Sequence, residues 1–177
     1  MNETVDSALA AWHGEVDVRP VVPGSKGHTI HAYFNVTPES PDGGAVLFFF
    51  SMSEEGHRGS VCVLDRQTGR IREAATGIEV EDAHRVACQH WICGGKRIVF
   101  HAFEEGAFRV VSVDTRTWRQ EILGEDRLCG WASASGSAVP TYGPHWKRGR
   151  FRDLELVDVE TGTITCVLTA ERLTSEY

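Results

Sequence analysis

The chain has 177 residues, of which 41% are apolar, and this is enough for one domain with a hydrophobic core but too little for two ordinary domains. Its 18 Lys and Arg residues against 25 Asp and Glu residues give a net charge of −7. This charge argues against a general nucleic-acid-binding protein, because such proteins present a basic face. Only 24% of the residues are charged, so the composition excludes wholesale disorder.

The sequence shows no pattern typical of a secretory signal or a membrane-spanning segment. Residues 1–20 have neither the basic segment nor the long apolar run of a secretory signal, so we expect no secretory leader. The longest apolar run, residues 45–50, is far shorter than the roughly 20 residues that a membrane span needs. We therefore predict a cytoplasmic protein without a membrane partner.

The cysteines support the same compartment. They are odd in number and contain no C-x-x-C pair, which indicates neither a disulfide framework nor a zinc knuckle. We interpret them as small, buried hydrophobic residues in a reducing environment, and metal binding by Cys88 and Cys93 is an open alternative. The five cysteines are Cys62, Cys88, Cys93, Cys129 and Cys166.

Helical periodicity is confined to the two ends of the chain. Residues 4–12 predict one short helix, and residues 168–177 predict another. Between them, residues 15–22 alternate in the manner of a β-strand. We expect the rest of the chain to be built from strands and turns.

Three segments share a D-x-x-T-G pattern with strand-like residues on both sides, and their aspartates are Asp65, Asp114 and Asp158. The pattern predicts a tight hairpin turn, because the aspartate accepts hydrogen bonds from turn amides. Gly69 and Gly162 are expected to have positive φ angles at the last corner of the turn. In the second copy Trp118 replaces this glycine, so we expect that turn to be built differently.

A glycine-bearing turn followed by an apolar strand precedes each of these aspartates. These turns lie at residues 41–44, 93–96 and 133–136. In the third copy we expect Pro140 to cut the apolar strand short, because proline cannot donate to a strand ladder. Each copy therefore predicts four strands joined by these turns.

Four strands in about 45 residues is the repeat length of a β-propeller blade. The sequence therefore predicts an all-β fold of the propeller type, with about three four-stranded antiparallel blades in an incomplete or oligomer-completed ring. The predicted blades are residues 28–76, 77–124 and 125–169 of a single domain that spans residues 1–177. A β-sandwich, in which hairpins also recur, is the alternative.

Two stretches carry a resemblance to known families. Ser40-Pro41-Asp42-Gly43, followed by an apolar strand and the turn at Asp65, resembles a repeat of TolB-type propellers. Residues 27–34, GHTIHAYF, resemble the first blade of oligogalacturonate-lyase-like propellers, and the likeness extends over residues 27–167.

This resemblance implies a propeller of about seven blades. It also implies that active members cleave uronic-acid oligosaccharides by β-elimination with a divalent metal such as manganese. The His and Gln ligands of that metal come from later blades in the family. They have no counterpart in this chain, so no metal ligand is assigned and the cofactor stays unknown.

Histidines are expected to gather on one face of the blades, around the central channel. Segments that lead into the innermost strands lie there in a propeller, as do the loops between middle strands, where we place His57 and His101. β-Elimination needs a base and a cation that stabilises the developing charge. The candidate catalytic residues are His31, His84, Arg85 and His145, and the candidate substrate-binding residues are His28, Gln89, His90, Trp131 and Trp146.

Each of these side chains also has a purely structural interpretation. Histidines tie adjacent strands together in propeller repeats, and a tryptophan packs more often between blades than against a sugar ring. The basic run at residues 147–152 would attract an anionic sugar, but we favour a solvated loop.

Two functions from different classes follow. The first is a sugar-active propeller that resembles oligogalacturonate lyase, or an N-terminal part of one, and binds an acidic oligosaccharide. The alternative is a non-catalytic TolB-like propeller that binds a protein or a small ligand. The propeller gate of a serine peptidase is a third reading, but it would need a hydrolase domain, and the sequence shows no nucleophile elbow.

Ring closure sets a further expectation. Known propellers have about four to eight blades, so three blades predict further blades or self-association. Residues 15–22 would be the outer strand that latches such a ring. The open ends are expected to expose apolar surface, which marks an interface. This surface is predicted to include Ile98, Phe100, Leu154 and Leu156.

Overall fold

The computed structural model describes residues 20–81, 84–143 and 153–176, and these residues form an almost entirely β fold. The strands are β1 (His28–Ile30), β2 (Ala45–Ser51), β3 (Arg58–Asp65), β4 (Ile71–Glu79), β5 (His90–Ile92), β6 (Arg97–Glu104), β7 (Ala107–Asp114), β8 (Gln120–Glu125), β9 (Leu128–Cys129), β10 (Ala138–Tyr142), β11 (Leu154–Asp158) and β12 (Ile164–Leu168). One helix, α1 (Ala170–Glu176), follows the last strand.

Antiparallel pairing gathers the strands into three groups of four, which we call the first, second and third units. β1–β4 form the first unit and β5–β8 the second, and they share one sheet because Glu79 of β4 pairs with Phe103 of β6. β9–β12 form a separate four-stranded sheet, which is the third unit. The predicted all-β, antiparallel architecture is confirmed, and within the described residues the sheets do not close into a ring.

The second unit lies between the other two and is covered on both faces. Ile98 and Phe100 of β6 belong to an apolar cluster shared with the first unit. Val99, which points to the opposite face, belongs to a second cluster with Val139 and Val157 of the third unit. The expectation that Ile98 and Phe100 are exposed is therefore wrong, because alternate residues of β6 fill two cores.

The predicted hairpin turns are confirmed. The first unit turns at Asp65, whose carboxylate oxygen accepts a hydrogen bond from the Thr68 amide at 2.8 Å. The same bond recurs in the other two units, so one local sequence pattern produces one turn three times. The equivalent bonds run from Thr117 to Asp114 at 2.7 Å and from Thr161 to Asp158 at 2.8 Å.

The last corner of each turn has a left-handed backbone. Gly69 and Gly162 have φ angles of 70° and 72°, as predicted. Trp118 has a φ angle of 62°, and its amide donates to the Asp114 carbonyl at 2.7 Å. The expectation of a different second turn is therefore wrong. The indole packs against the first apolar cluster, and this contact offsets the cost of a left-handed backbone for a side chain other than glycine.

Pro140 lies inside β10 and does not end it. It pairs with Leu156 of β11, and its carbonyl accepts the Gly130 amide at 2.8 Å. In an antiparallel ladder the amide and carbonyl of one residue point to the same neighbour, so the missing amide of Pro140 faces β9. That strand has only two residues, and the loss of one donor is tolerated there.

Helices and a strand were predicted at the two ends of the chain. Helix α1 confirms the predicted C-terminal helix. The predicted helix at residues 4–12 lies outside the described residues, as does most of the predicted strand at residues 15–22. No helix in the described part of the chain is long and apolar enough to cross a membrane.

Candidate functional site

Rings from all three units meet beside the first strand of each unit. Tyr33 follows β1, His84 precedes β5 and Trp131 follows β9. Tyr33 and Trp131 stack with their centroids 5.1 Å apart and 18° between their planes. His84 meets Tyr33 edge-on at 5.0 Å. We call these three rings, together with Phe34, the aromatic cluster.

Phe34 gives the aromatic cluster its open side. Its centroid lies 4.5 Å from that of Tyr33 with 44° between the planes, and 84% of the residue is exposed. An exposed ring of this size on a packed aromatic base is unusual, because such rings normally lose their contact with water on folding. The cluster therefore offers an exposed aromatic ring to a ligand.

Two predicted site residues lie on the segment that leads to the aromatic cluster. His28 is the first residue of β1, His31 follows this strand, and both side chains are exposed. The two histidines expected in middle-strand loops differ from each other. His57 is exposed, whereas His101 is buried within β6, so its predicted loop position is wrong.

Arg85 and Gln89 have protein partners in the structure. The Nη2 atom of Arg85 lies 3.2 Å from the Oε2 atom of Glu81. The Nε2 atom of Gln89 donates to the Ile30 carbonyl at 3.2 Å, which ties the second unit to the first. The remaining predicted site residues, His145 and Trp146, lie outside the described residues, as does the basic run at residues 147–152.

A separate group of polar side chains, made of Cys88, His90 and Cys129, is buried between the second and third units. Their ligand atoms, two sulfurs and one ring nitrogen, all lie within 4.8 Å of one another. His90 is only 2% exposed, so its ring faces this cluster and not the surface where a substrate would arrive. We call this group the Cys–His–Cys cluster.

The two thiols of the Cys–His–Cys cluster differ in acidity. The pKa of Cys88 is lowered to about 6, chiefly by a hydrogen bond from the Cys129 thiol and further by His90 and Arg85, although burial opposes the shift. The pKa of Cys129 is raised by burial and by the neighbouring Cys88. Of the two thiols, Cys88 is therefore the more acidic.

Sequence reasoning missed the Cys–His–Cys cluster because its members come from different units. The proposed partner of Cys88 was Cys93, but Cys93 lies in the turn after β5, outside the cluster. The missing member, Cys129, ends the first strand of the third unit. The available signal was positional, since all three cluster residues lie on or next to first strands. Cys166 is exposed and is an exception to the expected burial of the cysteines.

The described residues do not fit the manganese that the family resemblance implies. Among them, the Cys–His–Cys cluster is the one group of three metal-ligating side chains whose ligand atoms come together. Manganese prefers carboxylate, carbonyl and water oxygens, whereas sulfur ligands select softer ions. No step of a manganese-dependent reaction is therefore assigned to these residues.

A groove of about 510 Å³ lies between the first and second units, at the end that carries the D-x-x-T-G turns. It was not identified from the sequence. Its charged lining contains both signs, so it has no clear preference for an anion or a cation. The charged residues that line it are Asp42, Asp65, Arg70 and Arg72.

Comparisons with known proteins give a result for the fold and none for a family. No protein-family model matches the sequence. No curated protein matches it either.

Solved structures of propellers resemble the chain. TolB from Acinetobacter baumannii superposes with a TM-score of 0.52 at 15% identity, over 75% of this chain and 31% of that chain. Oligogalacturonate lyase from Vibrio parahaemolyticus gives 0.54 at 14% identity, over 84% and 42%. An oligogalacturonate lyase in complex with manganese gives 0.50 at 17% identity, over 81% and 36%.

The chain thus spans less than half the length of each of these three structures. At such low identities the likeness concerns the fold. It decides between the two architectures that the sequence left open, because the related structures are propellers and not sandwiches. The chain has the fold of a partial β-propeller of the kind seen in TolB and oligogalacturonate lyase, with three four-stranded antiparallel units in its described residues.

Proposed function

We propose that this chain is a carbohydrate-binding part of a β-propeller, and that the aromatic cluster receives an acidic oligosaccharide. The observation that carries the proposal is the exposed ring of Phe34 on the packed base of Tyr33, His84 and Trp131. Sugar rings have apolar faces, and an exposed aromatic ring can stack on them.

Exposed nitrogen donors on the segment that precedes the aromatic cluster support an acidic ligand. Lys26, His28 and His31 are exposed, and they lie on the segment that ends at Tyr33. Ammonium and imidazole N–H groups can donate to the carboxylate of a uronic acid. The chain as a whole carries a net charge of −7, so a local basic segment is needed to hold such an anion.

Binding is favoured over β-elimination by the protein contacts of the proposed catalytic groups. His84 packs against Tyr33, and Arg85 pairs with Glu81. The amide of Gln89 donates a hydrogen bond to a backbone carbonyl of the first unit. His31 and His84 are exposed, but β-elimination also needs a cation that stabilises the developing charge, and an arginine paired with a glutamate meets this need poorly.

The proposal includes the surroundings of the chain. We propose that further propeller blades, or a second copy, cover the outward face of the third unit. Half-buried apolar side chains on that face support this part. They are Pro140, Tyr142, Leu154 and Leu156. A cytoplasmic location is part of the same proposal, and five free cysteines support it.

Titration of the full chain with trigalacturonate, followed by calorimetry and by ligand-observed NMR, tests the proposal. Phe34→Ala should weaken binding strongly and leave the melting temperature almost unchanged, because the ring is 84% exposed. Met52→Ala is the matched control, since this exposed apolar side chain lies in the first unit, in the loop after β2.

Two outcomes would contradict the proposal. Equal binding by the wild-type chain and Phe34→Ala would move the ligand away from the aromatic cluster. Absorbance from an unsaturated product, formed by the wild-type chain and not by His84→Ala, would establish a lyase in place of a binding protein.

A further inference from the structure

The Cys–His–Cys cluster has the composition and placement of a metal site. Cys88 lies two residues before His90, the first residue of β5, and Cys129 is the last residue of β9. All three groups therefore come from the first strands of the second and third units or from the residues just before them. All three are buried, and their ligand atoms lie within 4.8 Å of one another.

His90 is held in the form that a metal requires. Its Nδ1 atom lies 2.8 Å from the Cys88 carbonyl oxygen, and a carbonyl can only accept. The proton is therefore on Nδ1, and the lone pair is on Nε2. The Nε2 atom is buried and has no hydrogen-bond partner among the described residues. A buried acceptor without a partner is costly, and a bound cation would satisfy it.

Neighbouring groups position Cys129 as well. Its backbone amide donates to the Nδ1 atom of His101 at 3.2 Å, and the same ring nitrogen lies 3.3 Å from its sulfur. Thr141 is the register partner of Cys129 on β10, so its side chain lies on the same face of the sheet. Its hydroxyl is also buried without a partner among the described residues.

We propose that Cys88, His90 and Cys129 bind a zinc ion, with the hydroxyl of Thr141 or a water molecule in the fourth position. Zinc is bound at about 2.3 Å by sulfur and about 2.0 Å by imidazole nitrogen, which needs only a small contraction of the cluster. The thiol protons leave to solvent when the ion binds, and no oxidation or reduction takes place.

A cavity lies next to one member of the cluster. A cavity of about 190 Å³ reaches His90 and is lined by neighbouring segments of all three units, including Asn35, Trp91 and Ser133. A disulfide between Cys88 and Cys129 is the competing product of two close thiols. It would leave the Nε2 atom of His90 without a partner, whereas a metal engages all three groups.

Spectroscopy with cobalt, which replaces zinc in such sites, is the first test. The reduced full chain should bind one equivalent of Co²⁺, with a thiolate charge-transfer band and the d–d bands of a tetrahedral site, and Zn²⁺ should displace it. Cys88→Ala and His90→Gln should weaken binding by at least about tenfold. Cys93→Ser is the matched control and should bind like the wild-type chain.

Alkylation of the wild-type chain is the second test, and it needs no variant to fold. In moderate urea, where local opening exposes buried thiols, Zn²⁺ should slow the reaction of Cys88 and Cys129 with a thiol reagent relative to the metal-free chain, while Cys93 and Cys166 in the same sample react at an unchanged rate. The proposal is overturned if Co²⁺ gives no thiolate band with folded, reduced protein. It is also overturned if protection is equal at all cysteines, or if Cys88 and Cys129 form a disulfide that zinc does not prevent.

Discussion

The guanidinium carbon of Arg72 lies 4.2 Å from the ring centroid of Trp118, so the side chain that replaces a turn glycine makes a contact between two units. Arg72 is on β4 of the first unit, and Trp118 forms the last corner of the turn in the second. A cation over an aromatic face is attractive at this distance. The left-handed tryptophan is therefore accompanied by an inter-unit contact that a glycine could not make.

A double-mutant cycle with Arg72→Ala and Trp118→Gly measures this contact. We expect a coupling free energy of about 0.5–1 kcal/mol, the range for an exposed cation–π pair, from the free energies of unfolding in urea. Arg70→Ala is the control, since Arg70 is a nearby exposed arginine for which the structure gives no such contact with Trp118. Additive effects of the two substitutions on the free energy of unfolding would show that the guanidinium and the indole do not stabilise each other.

Gly59 and Gly69 test two different reasons for glycine. A Cβ atom on Gly59 would overlap the Phe50 carbonyl oxygen and lie 2.7 Å from the ring of Phe49, which is fully buried. Gly59→Ala should therefore cost about 3 kcal/mol or more, because backbone and core must both move. At Gly69 there is open space but a φ angle of 70°, so Gly69→Ala should cost only about 1 kcal/mol. Similar losses in thermal unfolding would contradict the crowding at Gly59.

The fold could be predicted because its signals are local. Asp65, Asp114 and Asp158 each specify a turn through bonds to amides two or three residues away, and apolar runs between turns specify strands. Where the prediction failed, a tertiary contact decided. The turn at Trp118 keeps its shape because the indole packs between units, and Pro140 stays in its strand because its missing amide faces a very short neighbour.

The candidate sites could be predicted only in part for the opposite reason. His84 and Trp131 each pack against Tyr33, a residue that the sequence did not single out. The Cys–His–Cys cluster depends on how two units pack, and no spacing along the chain encodes that. Residue type and strand position narrow such a search, whereas the distances come only from the packed sheets.

Gln89 should be a structural link at which a negative charge is not tolerated. The amide donates to the Ile30 carbonyl and is buried, so Gln89→Met should cost about 1 kcal/mol through the lost hydrogen bond. Gln89→Glu should cost more at pH 7, because a buried carboxylate would face a carbonyl oxygen. Burial raises the pKa of such a glutamate, so this extra cost should shrink as the pH falls below the raised value and be absent below about 4.3, the pKa of an unfolded glutamate. A pH-independent difference between the two variants in urea unfolding would contradict the contact.

Asp158 predicts a dependence of stability on acid. Its pKa is lowered from the usual 3.8 to about 2, chiefly by the hydrogen bond from the Ser137 hydroxyl at 2.6 Å and further by the Thr161 amide and hydroxyl. Because the folded pKa lies below the unfolded one, the ionised carboxylate stabilises the fold above pH 3.8, and this contribution is lost as the pH falls through about 2. Asp158→Asn should therefore destabilise the chain near neutral pH more than it does near pH 2.

Ser137→Ala isolates the cause of that shift. Removal of the hydroxyl takes away the largest contribution and leaves the turn amides in place, so the pKa of Asp158 should rise toward 3.8 without reaching it. Carboxyl-carbon NMR titration of the folded protein reads this value directly. Asp65 is the internal control, because its pKa is lowered by Thr68 and the turn amides alone and should not move. If the pKa values of both aspartates shift together, the substitution has disturbed the fold. If neither pKa shifts, the Ser137 hydrogen bond does not lower the pKa of Asp158.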